Sequence, residues 1–69
     1  MQELLLGEHP HIDLCDLLKK AGFCGSGAEG KHIVASGVVK VDGQVELRKR
    51  AKIRSGQVVE FQGKQVKVV

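Results

Sequence analysis

Five cations fall within seven positions of the run LRKRAKIRSG: Arg48, Lys49, Arg50, Lys52 and Arg54. Side chains of this type neutralise phosphates and release condensed counterions, which supplies most of a protein's sequence-independent affinity for nucleic acid. Arginine adds paired hydrogen bonds to phosphate oxygens. In an extended segment Arg48, Arg50, Lys52 and Arg54 would project to one side, with Lys49 and Ala51 on the other. A solubilising edge strand is the competing reading, since lysines on such strands discourage aggregation. The charge of the whole chain is polarised as well. Residues 1–30 carry two cations against five anions, a net of −3, and residues 31–69 carry nine cations against three anions, a net of +6. A field divided in this way favours a polyanionic partner.

The other reactive side chains do not assemble into a recognisable chemistry. His9, His11, His32, Cys15 and Cys24 form no C-x-x-C or H-x-x-x-H pair, so no metal site is encoded. Cys15 borders an apolar helical stripe and reads as a small core residue. Cys24 precedes a helix start, but spacing places no base beside it. GSGAEGK, residues 25–31, lacks the hydroxyl residue that must follow the lysine of a phosphate loop, because His32 stands there. With no nucleophile, base and orienting group in register, the expectation is a non-enzyme without cofactor or small-molecule substrate. Phe23 and Phe61 are the only aromatics, and both sit where a core would want them. Stacking of unpaired bases is therefore largely unavailable, and recognition should rest on phosphates and shape.

A small frame must position these groups. Sixty-nine residues make one domain near the lower size limit for an unstapled apolar core. Glu3–Leu6 reads as a short extended piece closed by Gly7. Pro10 suits the first turn of a helix in which Leu14, Leu17, Leu18 and Ala21 form one stripe at i, i+3, i+4 and i+7. Asp13 falls in its first turn, Lys19 and Lys20 in its last, and Gly22 is the stop. A second helix opens at Ser26, with Glu29 at capping-box spacing, and runs through Gly30, Ile33 and Val34 to Gly37. Glycine inside a helix costs about 1 kcal/mol relative to alanine. Close approach of the first helix is the expected reason for Gly30.

Beyond Gly37 the period becomes two. VVKV and QVEL flank Asp42-Gly43, a strong type I′ hairpin signal. QVVEF and QVKVV flank Gln62-Gly63-Lys64, a second hairpin, and a turn at Ser55-Gly56 closes the basic run. The expected order is a short strand, two helices, then four short strands. The longest N-terminal apolar run, LLL, is far too short for export or a membrane span. The two cysteines read as free thiols of a reduced, cytoplasmic protein.

From Leu14 to Phe61 the pattern resembles the RNA-binding domain of the small-subunit ribosomal protein S4 type, the S4 domain. The resemblance is carried by Leu14, Leu18, Gly22-Phe23, Ser26, Lys31, Ile33-Val34, Gly37, Val39, Val41, Asp42-Gly43, Val45, Arg48, Ile53, Gly56 and Val58, in unbroken register. HPHIDLCDLLKKAGF and VKVDGQVELRKR more narrowly resemble the small stand-alone bacterial proteins of the YbcJ type. What this implies is an α+β fold, the alpha-L motif, over a single domain, 1–69. Two antiparallel helices would pack on a small curved, mostly antiparallel sheet of about four to five short strands. It also implies non-catalytic binding of structured RNA, such as ribosomal RNA or tRNA, by a ribosome-associated monomer. The contacts it implies come from Ser26, Gly27, Lys31, Asp42, Gly43 and Arg48, to which the basic run adds Lys49, Arg50, Lys52 and Arg54. Lys40, pointing away from the core side of Val39 and Val41, can join the same surface. The chain departs from the family pattern at three places: Gly27 stands where arginine is common, Gly30 where alanine is usual, and Asp42 where asparagine is common. The alternative is a protein-interaction or assembly adaptor whose basic face serves solubility.

Overall fold

The stripe of leucines and the alternating valines find each other across a helix–sheet interface. In the computed structural model, which describes residues 1–69, the chain runs β1 (Gln2–Leu4), β2 (Ile12–Asp13), α1 (Leu14–Lys20), α2 (Gly27–Ala35), β3 (Val39–Val41), β4 (Gln44–Val45), β5 (Lys52–Ile53), β6 (Val58–Phe61) and β7 (Lys64–Val68). Five strands form one sheet in the order β1-β7-β6-β3-β4. All its pairings are antiparallel except that of β1, which runs parallel to β7. Two antiparallel helices accompany this sheet, giving the α+β architecture expected from the sequence. A separate two-stranded ribbon joins β2 to β5.

Alternation in β6 and β7 buries Val59, Phe61, Val66 and Val68 and leaves Lys64 and Lys67 in solvent. Leu14, Leu17 and Leu18 of α1, Val34 of α2, Val39 of β3 and Ile53 of β5 complete the buried set. Each contributes about 1.5–3 kcal/mol by leaving water, which is how so short a chain holds together. The half-buried Phe23 packs against Phe61 with ring centroids 5.8 Å apart. Gly30 explains how closely the helices meet. A β-carbon there would lie 2.8 Å from the Cys15 carbonyl oxygen. Any side chain would have to push backbone aside.

The hairpins follow their turn residues. Asp42 and Gly43 adopt φ of 52° and 84°, the two positive values that a type I′ turn needs. The second hairpin is tighter than its sequence indicates. Its loop is Gln62-Gly63 alone, because Lys64 already pairs with Phe61 in the ladder.

Three further expectations need correction. The N-terminal strand is Gln2–Leu4 rather than Glu3–Leu6; Leu6 instead turns into the core and donates its amide to the Val69 carbonyl at 3.0 Å. Helix α1 starts at Leu14, so Pro10 lies outside it and Asp13 is its N-cap residue, without a side-chain cap. The cause is the ribbon, in which Ile12 pairs with Ile53 and Asp13 with Lys52. The same ribbon adds β5, so five strand segments rather than four follow α2.

Candidate nucleic-acid interface

The basic run is not a simple extended strand. It leaves β4, turns at Lys49-Arg50 and becomes extended only at Lys52-Ile53. Backbone groups hold it in this shape. The Ala51 amide donates to the Arg48 carbonyl at 3.1 Å, and the first two amides of α1 donate to the run: Leu14 to the Ala51 carbonyl at 2.9 Å and Cys15 to the Lys49 carbonyl at 3.0 Å. Those amides have no partner inside a helix, so the run caps α1 while α1 fixes the run. Ala51 and Ile53 point into the core, and Arg50, Lys52 and Arg54 alternate outward. Arg48, Arg50, Lys52 and Arg54 consequently line one open concavity of about 430 Å³. Lys49, though exposed, is not part of its lining. The turn breaks the strict parity expected of a strand: Ala51 also borders the concavity, and Lys49 is exposed rather than facing the core with Ala51.

Two carboxylates grip the ends of this run. Glu46 accepts three hydrogen bonds from Arg48: the backbone amide at 3.0 Å and Nε at 3.1 Å reach Oε2, and Nη2 at 3.0 Å reaches Oε1. These bonds hold the Glu46 carboxyl down at about 2 and raise the Arg48 guanidinium. This is the single ion pair of the chain, and the Arg48 side chain nevertheless remains 80% exposed. A guanidinium has five N–H groups, so three are left for another acceptor. At the other end Asp42 accepts from the Val58 amide at 3.0 Å and from Gln57 Nε2 at 3.2 Å, while Gln57 Oε1 accepts from the Arg54 amide at 2.8 Å. The Val58 and Gln57 bonds lower the Asp42 carboxyl below its ordinary value. Asp42 is thus already engaged within the fold. Sequence reasoning passed over Glu46 and Gln57. The i, i+2 spacing of Glu46 and Arg48 was a signal for the first, since alternate residues share a side of a strand; nothing local marked the second.

The remaining candidates lie on two other elements. Ser26 caps α2, its Oγ accepting from the Glu29 amide at 3.2 Å. Gly27, in the first turn, has nothing within 4 Å of the position a β-carbon would take. Lys31 follows one turn later, half-buried. Its neighbour Gly30 rests on the Cys15 carbonyl, and the Cys15 amide binds Lys49. The first turn of α1 is therefore a common support for α2 and the basic run. Lys40 is exposed on β3, opposite Glu60 of β6 and Val45 of β4, and Gly43 sits at the hairpin tip. None of these residues lines the cationic concavity. A second groove, between Leu4–Leu6 and the outer side of α1, bears Asp13, Asp16, Lys19 and Lys20, so its formal charges cancel. No three His, Cys, Asp or Glu side chains gather closely enough to hold a metal ion. Cys15 is buried and Cys24 half-buried, its Sγ donating to the Ser26 carbonyl at 3.3 Å. No helix is long and apolar enough to cross a membrane.

Known proteins share this fold. The YbcJ proteins of Escherichia coli (strain K12) and Shigella flexneri are each 56% identical to the chain over 69 residues, covering 100% of it and 99% of their own length. The solution structure of YbcJ from E. coli, described as revealing an alpha-L motif involved in RNA binding, superposes with a TM-score of 0.77, covering 100% of this chain and 87% of that one. The 30S ribosomal protein S4e from Thermoplasma acidophilum is 27% identical, with a TM-score of 0.68, over 90% of this chain and 33% of that protein. The sequence model of the S4 domain matches residues 5–69, nearly the whole chain, and the chain belongs to the S4 domain family.

Proposed function

We propose that the chain is one unit, residues 1–69, that binds structured RNA without catalysis. The observation that carries this reading is the concavity lined by Arg48, Arg50, Lys52 and Arg54 on a backbone tied to α1. Four cations on a fixed frame match phosphates that are themselves held in place, as on a folded RNA. The start of α2, with Ser26, Gly27 and Lys31, extends the surface from the same support, and Lys40 and Lys49 add to its field. Gly43 lets the β3–β4 hairpin close, and Asp42 serves the surface by bracing Arg54. Membership of a non-catalytic family and the RNA-binding description of the E. coli relative both support the reading. The likeness to a 30S ribosomal protein favours ribosomal RNA among the structured RNAs. Free thiols at Cys15 and Cys24 suit a monomer working in the reducing cytoplasm.

The test is an anisotropy titration of a hairpin RNA at several salt concentrations. If about five phosphates are neutralised, log K should fall against log salt with a slope near −4, the coefficient being about 0.7–0.9 per phosphate. Absence of binding at the lowest salt would leave the adaptor reading, in which the cations serve only solubility.

A further inference from the structure

Residues 31–69 contain three anions: Asp42, Glu46 and Glu60. In a surface built to attract phosphate, each anion weakens the field. Two of the three nonetheless sit at the basic run, one at either end. Glu46 fixes the side chain and the backbone amide of Arg48, where the run begins. Asp42 holds Gln57, and Gln57 holds the amide of Arg54, where the run ends. The chemistry at Asp42 demands a carboxylate. One oxygen accepts from the Val58 amide and the other from the Gln57 amide nitrogen. Asparagine has one oxygen and one NH2 group, so with its oxygen on the Val58 amide it would turn that NH2 group, a donor, toward the donating Gln57 Nε2. Turning Gln57 over to meet that NH2 group would face its own NH2 against the Arg54 amide. The Glu60 carboxylate has no hydrogen-bond partner and no ion pair; the residue lies opposite Lys40 in the sheet.

We propose that Asp42 and Glu46 are positioning residues of the cationic concavity: by pinning its two ends they make it select phosphates at a fixed spacing on folded RNA over the phosphates of a flexible polyanion. The proposal deepens the RNA-binding reading and rests on it. Arg48 keeps three N–H groups outward in one orientation, and Arg54 starts from a fixed backbone. A rigid constellation gains most from a partner whose phosphates are already in place, because neither side then loses further freedom on binding. A flexible strand adapts to any arrangement of cations and responds chiefly to net charge.

The experiment measures the affinity of a hairpin RNA and of a poly(U) oligomer of equal length, at one low salt concentration. The proteins are the wild type, Glu46→Gln, Asp42→Asn and Glu60→Gln, each checked for folding by thermal melting. All three substitutions remove one negative charge. Glu60→Gln should raise both affinities by a similar factor and keep their ratio. Glu46→Gln and Asp42→Asn should raise poly(U) binding while the hairpin-to-poly(U) ratio falls, by about two- to tenfold, the range for freeing one rotamer-rich side chain. Asp42 also ties the hairpin to β6, so Glu46→Gln is the deciding variant. An unchanged ratio in Glu46→Gln, whether both affinities rise or both fall, overturns the positioning role and leaves RNA binding standing. If the wild type binds no hairpin RNA, the functional reading itself fails, and the positioning role with it.

Discussion

The basic run and the start of α2 rest on the same turn of α1, yet they are built on opposite plans. The run is rich in charge and held from outside itself. Its carbonyls are taken by α1, and its ends by Glu46 and by the Asp42–Gln57 pair. The start of α2 is held by its own sequence, with Ser26 capping Glu29, and carries little charge and an empty space at Gly27. An irregular segment needs distant partners to fix its shape, whereas a helix start needs only its cap. In this chain, cations were concentrated on the element whose shape costs more to define. The comparison holds if the run dominates RNA binding and α2 contributes mainly support.

The largest effect should come from the run. Replacing Arg48 and Arg50 together by alanine removes two cations from the concavity while leaving Ala51 and Ile53 in the core. At about 0.1 M salt, RNA affinity should drop roughly 25- to 60-fold, and the salt slope should flatten by about 1.4–1.8. Circular dichroism should be unchanged, because exposed cations add little stability. Loss of the fold would show that the cations are structural, and the contrast with α2 would collapse.

The support shared by the two regions is tested at Gly30. In Gly30→Ala the new methyl meets the Cys15 carbonyl at 2.8 Å, a backbone atom that cannot swing aside. Overpacking of this kind costs about 1–3 kcal/mol, partly offset by about 1 kcal/mol of helix propensity. The expected net loss is up to about 2 kcal/mol, and each kcal/mol lowers the melting temperature by about 4–8 °C in a domain of this size. A higher melting temperature would mean that the helices separate easily, and that α1 does not bind the two regions into one frame.

Much of this frame was legible in the sequence, for a physical reason. Leu14, Leu17 and Leu18 repeat at a helical period, and Asp42-Gly43 requires a conformation that few dipeptides accept, so each announces its element locally. The β2–β5 ribbon announces nothing. Two residues per strand carry no period, and the pairing joins positions 12 and 53. Its consequence, the start of α1 at Leu14 rather than near Pro10, was hidden with it. The cationic cluster was plain from composition, but its shape was not, because the Asp42–Gln57 bond spans fifteen positions and depends on how β6 pairs with β3. Charge is a property of the run; its arrangement is a property of the fold.

Acid should loosen the run at Glu46. The folded carboxyl titrates at about 2, against an ordinary value of 4.5, so its bond to Arg48 is fully present above about 4.5 and is lost as the pH falls through about 2. Carboxyl chemical shifts followed by NMR should show that low midpoint in the wild type. In Arg48→Ala the midpoint should return toward 4.5, since the Arg48 side chain is the main cause of the shift. A midpoint near 4.5 in the wild type would show that Glu46 does not hold Arg48 in solution.

The smallest effect is the one aimed at α2 itself. Gly27 lies in an early helical position, with nothing within 4 Å of a prospective β-carbon and with Lys31 one turn away. Gly27→Arg adds a cation to the element that lacks charge. If α2 shares the RNA surface, the added phosphate contact should steepen the salt slope by about 0.7–0.9 and raise affinity about five- to eightfold at about 0.1 M salt. Stability should hold or rise slightly, because arginine is a better helix former than glycine and meets no steric obstacle here. The opposing possibility is that the bare backbone at Gly27 lets the RNA come close, in which case any side chain there obstructs it. A lower affinity at unchanged stability would establish that close approach and make α2 a contact element in its own right. Unchanged affinity and slope would place Gly27 outside the surface and leave the basic run to bind alone.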